Sequence, residues 1–158
     1  MAEFPTGDRV MKVCRPRFEK RGGVIPVVVQ EDTSRDVLML AYTDEAGYLE
    51  TLKSGEVVLF STSKNARWKK GETSGNVLKL IEARIDCDGD ALVYLVQIIG
   101  PGVACHTHAR TCFYRNVFGN KLMPAPQEGD NEKIAKIEAP VHRRLEPPVR
   151  TQGDLPLK

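Results

Sequence analysis

The 158-residue chain has almost no net charge: 23 Lys and Arg stand against 21 Asp and Glu, leaving +2. Dedicated nucleic-acid and membrane-surface proteins carry a large one-sided charge, so both classes are set aside. Long apolar runs are missing as well. The longest, Ala91 to Ile99, is about half the ~20 residues that a membrane span needs. Met1 to Lys12 has no hydrophobic core of a secretory signal, which makes a reducing cytoplasm the expected compartment. Aromatic residues stop at Phe118, and six of the ten prolines lie beyond it. No internal repeat and no G-x-x-x-x-G-K-[ST] loop is present, which excludes a Walker-type nucleotide site. Neither a C-x2-C nor an H-x3–5-H pair occurs, so a zinc knuckle or finger does not fit.

What is present divides into three segments. Residues 1–22 are polar and basic, residues 23–118 hold every long apolar run, and residues 119–158 form a proline-rich, aromatic-free extension. That extension cannot bury much surface and reads as extended, with one short helix predicted around Asn131 to Glu138. In the central segment, Val24–Gln30 is rich in β-branched residues and reads as a strand, its Pro26 marking an edge or a beginning. Val37–Tyr42 is a second strand. Thr43 or Asp44 then caps a helix with Ala46, Leu49 and Leu52 on its apolar face, ended by Gly55. Glu56–Ser61 returns as a strand, and Val77–Asp86 with Ala91–Ile99 form a hairpin. The fold class is therefore α+β, a mainly antiparallel sheet with one or two short helices. The continuous apolar run Leu92–Ile99 predicts burial on both faces, by a covering helix or a second copy of the chain.

Two clusters carry chemistry. In Asp86-Cys87-Asp88-Gly89-Asp90, extended backbone would point Asp86 and Asp88 one way and Cys87 the other. Carboxylates suit Mg²⁺ and thiolates suit Zn²⁺, so the alternation predicts two different metal sites back to back. A plain polar Asp-Gly turn accounts for the aspartates but not for the cysteine, and the spacing does not fit an EF-hand. Downstream, Cys105-His106-Thr107-His108-Ala109-Arg110-Thr111-Cys112 supplies two thiols and two imidazoles. With Cys87 the thiols number three, one short of a closed tetrahedron. Two arrangements follow: a structural zinc site closed by His106 or His108, or an open one that lowers the pKa of bound water to ~7. In the open case His106 or His108 handles the proton as general base. Cys14 stands apart and is expected to be dispensable.

The stretch Ser61–Asn76 is read as a loop joining two strands. It carries Ser61, Ser63, Lys64, Arg67, Trp68, Lys69, Lys70, Gly71, Glu72, Thr73 and Ser74. Glycines and free N–H groups shape anion-binding concavities, cations add charge, and Trp68 offers a stacking face for a base. A solvated basic loop is the plainer reading. Beside a hydrolytic metal site, the same residues point to a phosphorylated substrate bearing an aromatic base.

These segments resemble the phosphoribosyl-AMP cyclohydrolase family of histidine biosynthesis. The matching stretches are Ile25–Gln30, Val37–Tyr42, Trp68–Asn76, Asp86–Asp90, and Cys105-His106-Thr107 with Cys112-Phe113, in the family's order over roughly residues 23–115. The resemblance implies an obligate homodimer with metal sites at the interface, Cys87 from one subunit joining Cys105 and Cys112 from the other on zinc. It implies magnesium at Asp86, Asp88 and Asp90. It also implies hydrolytic opening of the adenine ring of phosphoribosyl-AMP between N1 and C6, with no nucleic-acid or membrane partner. Members usually carry Ser-Arg-Ser-Arg in place of Ser61-Thr62-Ser63-Lys64, and Gly in place of His108. Two other readings stand beside it: a related zinc hydrolase acting on a different purine-like nucleotide or base, and a non-catalytic, zinc-stabilised binding module in which His108 closes the metal shell.

Overall fold

Residues 14–115 are described by the computed structural model; the extension 119–158 and its predicted helix lie outside them. A 3-10 turn, Phe18–Arg21, leads into strand β1 (Val24–Glu31), followed by β2 (Val37–Asp44) and helix α1 (Glu45–Ser54). Strands β3 (Val58–Ser61) and β4 (Ala66–Lys69) come next, then β5 (Val77–Ile85) and β6 (Leu92–Ile99). The four-stranded sheet has the order β2-β1-β6-β5, and β3-β4 forms a separate two-stranded sheet.

Strand β1 alternates strictly, with Ile25, Val27 and Val29 fully buried. Its partner β6 supplies Leu92, Tyr94 and Val96 to the same core, which Leu38, Val57, Leu59 and Leu78 complete. Each fully buried aliphatic side chain contributes ~1.5–3 kcal/mol relative to leaving it in water, so this slab is the main source of stability. Leu95, on the opposite face of β6, is also fully buried, so the two-faced burial expected of that strand is met inside one chain at Tyr94–Val96. Ile99 at its end is exposed. Strands β5 and β6 pair antiparallel as the predicted hairpin, with a bulge between Leu80 and Glu82 that leaves Ile81 exposed.

Three features differ from the sequence reading. The pairings are mainly antiparallel, as expected, but β1 and β6 run parallel, with Val27 opposite Leu92. Pro26 is the third residue of an interior strand, but that parallel ladder begins at Val27, so Pro26 lacks a neighbour on that side. Helix α1 has the predicted caps, Asp44 accepting from Gly47 N at 2.8 Å and Gly55 left-handed at φ 72°. Its buried face is Gly47, Tyr48 and Thr51, however, and Leu49 is exposed. Polar contacts choose that face. Thr51 Oγ1 donates to Gly47 O at 2.8 Å and accepts from Val58 N at 2.9 Å, stapling the helix to β3. Tyr48 packs on Phe18, ring centroids 5.9 Å apart, and donates to Cys14 O. The third difference is β4, which turns part of the predicted Ser61–Asn76 loop into a hairpin.

Candidate active site

The chemistry-bearing residues lie on three loops. The first is the β5–β6 turn. Strand β5 ends at Ile85, so residues 86–90 do not alternate as extended backbone would. Gly89, at φ 80°, folds the chain back, Gly89 N donates to Asp86 O at 3.3 Å, and Asp86 Oδ1 accepts from Asp90 N and Ala91 N at 2.9 and 3.1 Å. The turn, and not strand alternation, brings Asp86, Asp88 and Asp90 together, with one oxygen from each within 4.8 Å of the others. Asp90 is buried, while Asp86, Cys87 and Asp88 are exposed. Lys20 donates to Asp88 Oδ2 at 2.8 Å and, with Asp86 beside it, holds the Asp88 carboxyl below its ordinary range.

The second loop, residues 104–112, folds on itself and onto β2. Cys105 N donates to Ala109 O and His108 N to Cys105 O, both at 3.1 Å. His108, the position where the resembling family usually has Gly, is left-handed at φ 64°. Cys112 N donates to Leu38 O at 2.8 Å, and Thr111 Oγ1 to Val37 O at 2.7 Å. Arg110 ties the loop to the β1–β2 turn through Glu31, Ser34 at 3.0 Å and Asp36 at 3.4 Å. This fastening sets Cys105 and Cys112 against each other. Burial pushes the Cys112 thiol up to about 12, and the neighbouring Cys105 pushes the same way, although the residue as a whole is exposed. Thr107 Oγ1 donates to Cys105 Sγ at 3.1 Å, and His106 Nδ1 lies 4.0 Å from the same sulfur. His106 and His108 are both exposed. Among the described residues, no third thiol or imidazole joins this pair closely enough to form a set of three within the chain.

The third element is the β3–β4 hairpin with the loop after it. Ser61 Oγ accepts from Lys64 N at 3.3 Å and lies 3.2 Å from Ser63 Oγ. A cavity of about 460 Å³ opens here, walled by Leu40, Tyr42, Phe60 and Trp68 and rimmed by Ser61, Ser63, Lys64 and Arg67. Lys70 is not on that rim. It is buried, its Nζ 5.9 Å from the Trp68 ring, where burial pushes the amine down and Cys112 and Cys105 oppose that. Gly71 is required: at φ 92°, a Cβ there would stand 2.5 Å from the Asn76 backbone. Glu72, Thr73 and Ser74 are exposed. Sequence reading missed Lys20 and Arg21, which reach the aspartate turn from far along the chain, and the apolar wall of Leu40, Tyr42 and Phe60. The uniformly apolar run Val37–Tyr42 carries no pattern that sets that wall apart.

A family model described as phosphoribosyl-AMP cyclohydrolase matches residues 39–114, which include all three loops. The phosphoribosyl-AMP cyclohydrolase of Granulibacter bethesdensis is 54% identical over 99 residues, 63% of this chain and 75% of that one. That of Archaeoglobus fulgidus is 47% identical over 106 residues, 67% of this chain and 95% of its own. The histidine biosynthesis bifunctional protein HisIE of Halalkalibacterium halodurans is 45% identical over 122 residues, and the match spans 56% of that longer protein. With relatives this similar over most of their length, the chain belongs to the phosphoribosyl-AMP cyclohydrolase family of enzymes.

Proposed function

We propose that this enzyme acts in the cytoplasm on 1-(5-phosphoribosyl)-AMP, a step of histidine biosynthesis, opening the adenine ring between N1 and C6. Zinc would be held by Cys105 and Cys112 of one subunit with Cys87 of a second, and magnesium by Asp86, Asp88 and Asp90. The observation that carries this reading is the thiol pair: Cys105 and Cys112 adjoin within the chain, and Cys87 is free and exposed on another loop. Two thiols are a poor zinc site and three are a good one, so a homodimer supplies what one chain lacks. A thiol as high as that of Cys112 is a thiolate at neutral pH only beside a strong positive charge. The aspartates offer the oxygen donors that magnesium prefers.

Bound at the thiols, zinc supplies the Lewis acidity that makes water nucleophilic near neutral pH. The chain's own residues do the rest. The cavity beside Trp68 takes the nucleotide, its apolar wall against the base and Ser61, Ser63, Lys64 and Arg67 toward phosphate oxygens. Water oxygen bonds to C6 and becomes the carboxamide oxygen, the N1–C6 bond breaks, and the two water protons pass to N1 and to the exocyclic nitrogen. His106 would carry the proton to N1, a role supported by its position beside Cys105 and its exposure to solvent, with His108 the other candidate. Thr107 steadies the Cys105 sulfur by its hydrogen bond.

Ultraviolet-monitored ring opening of phosphoribosyl-AMP by purified, zinc-loaded protein with magnesium tests the proposal. Chelator-sensitive turnover supports it. A folded, zinc-replete dimer that leaves this substrate intact refutes it and turns attention to other purine-like substrates, since Thr62 and Lys64 depart from the family's usual pattern.

A further inference from the structure

The aspartate turn is already in contact with a cation of the chain itself. Lys20 Nζ lies 2.8 Å from Asp88 Oδ2 and 3.3 Å from Asp90 Oδ2, and it donates to the Asp88 carbonyl at 3.1 Å. Arg21 Nε approaches Asp90 Oδ2 at 3.3 Å. Asp90 is buried, so these cations meet it with little intervening water. The backbone that carries them is anchored separately. Phe18 is buried against Tyr48, and Arg17 N donates to Gly89 O at 2.6 Å. The Lys20 side chain can therefore swing out on its flexible stem while the 3-10 turn stays in place.

A divalent ion bound to carboxylate oxygens sits at ~2.1 Å from them if it is magnesium. An ammonium 2.8 Å from the same Asp88 oxygen would then lie within ~5 Å of the ion, where like charges repel strongly in a partly dry setting. Charge balance points the same way. Three carboxylates with Lys20 and Arg21 leave one negative charge. A divalent ion added to that set overshoots to one positive, and release of one ammonium restores neutrality. Arg21, whose longer contacts reach only Asp90, can remain.

We propose that Lys20 is a tethered cation that competes with a divalent metal for Asp88 and Asp90, and that metal binding at the turn releases its ammonium to solvent. This rests on the reading of the three aspartates as a magnesium site. Lys20 thereby sets the metal concentration at which that site fills, and it holds the carboxylates together when no ion is bound.

The test uses the full chain with Mn²⁺ as probe, its binding followed by electron paramagnetic resonance, in wild type, Lys20→Met and Lys20→Arg. Loss of two partly exposed ion pairs predicts roughly three- to tenfold tighter Mn²⁺ binding in Lys20→Met, with Lys20→Arg close to wild type. In the wild type, amine acylation read by mass spectrometry should rise several-fold at Lys20 when Mg²⁺ is added, while the exposed Lys53 serves as the unchanged reference. Unchanged or weaker Mn²⁺ binding in Lys20→Met, or a Lys20 reactivity that ignores Mg²⁺, overturns the inference. Failure of all three proteins to bind Mn²⁺ removes the magnesium reading itself, and the competition with it.

Discussion

Replacing His108 by glycine should stabilise the protein slightly and leave its zinc in place. His108 sits at φ 64° in the turn between Cys105 and Cys112. The left-handed region costs an L-residue ~1–2 kcal/mol, and histidine, one of the types that tolerate it, belongs near the lower end. Glycine removes that cost but adds ~0.5–1 kcal/mol of backbone freedom to the unfolded chain. The imidazole is exposed, so little packing is lost with it. The balance is a stabilisation of about 0.5 kcal/mol, or about 1–4 °C in Tm for a domain of this size. Urea unfolding of zinc-loaded and zinc-stripped protein, with metal content measured alongside, reads both quantities. A destabilisation above ~1 kcal/mol confined to the zinc-loaded form would refute the reasoning. It would identify His108 as a fourth ligand and favour a closed structural site over an open catalytic one.

Cys105→Ser should abolish zinc retention and turnover together; an active, zinc-replete Cys105→Ser protein sinks the ligand assignment. Gly71→Ala, whose new Cβ would stand 2.5 Å from the Asn76 backbone at φ 92°, should cost about 1–3 kcal/mol in urea unfolding; a neutral result would mean that the loop is not clamped there. For the metal-free protein, Lys20 depresses the Asp88 pKa, so the pair's contribution is complete above the unfolded value of ~3.9 and vanishes as pH falls through the lower folded value. Unfolding midpoints of wild type and Lys20→Met should therefore differ at pH 7 and converge toward pH 2; a constant gap contradicts the ion pair as its source.

Much of the fold was legible because the signals are local. The β-branched run Val24–Gln30, the Asp44 and Gly55 caps and the Asp-Gly hairpin turn each report the backbone's own preference, and each element formed. What was not legible depends on distant partners. The helix presents Tyr48 and Thr51 inward because Phe18, Cys14 and Val58 stand opposite, which no periodicity of Ala46, Leu49 and Leu52 reveals. The parallel β1–β6 pairing is likewise a long-range choice. At the site, the sequence named the three aspartates as a group, but their convergence comes from the turn that Gly89 and the Asp86 side chain build. Lys70 was placed with the phosphate-binding residues by its neighbours in sequence, whereas its side chain is buried near the thiols. Lys20 and Arg21 meet the turn across 68 and 69 residues, beyond any spacing rule.

The central claim is that one zinc site draws on two subunits, and mixing inactive variants tests it most directly. Cys87→Ser and Cys105→Ser, each purified, unfolded together and refolded as a mixture, would assort into dimers in which one of the two shared sites has all three thiols. The account predicts that turnover and bound zinc both return to about a quarter of the wild-type level, half the dimers being mixed and half their sites intact. A mixture that forms dimers yet stays as inactive and zinc-poor as its parents would contradict it.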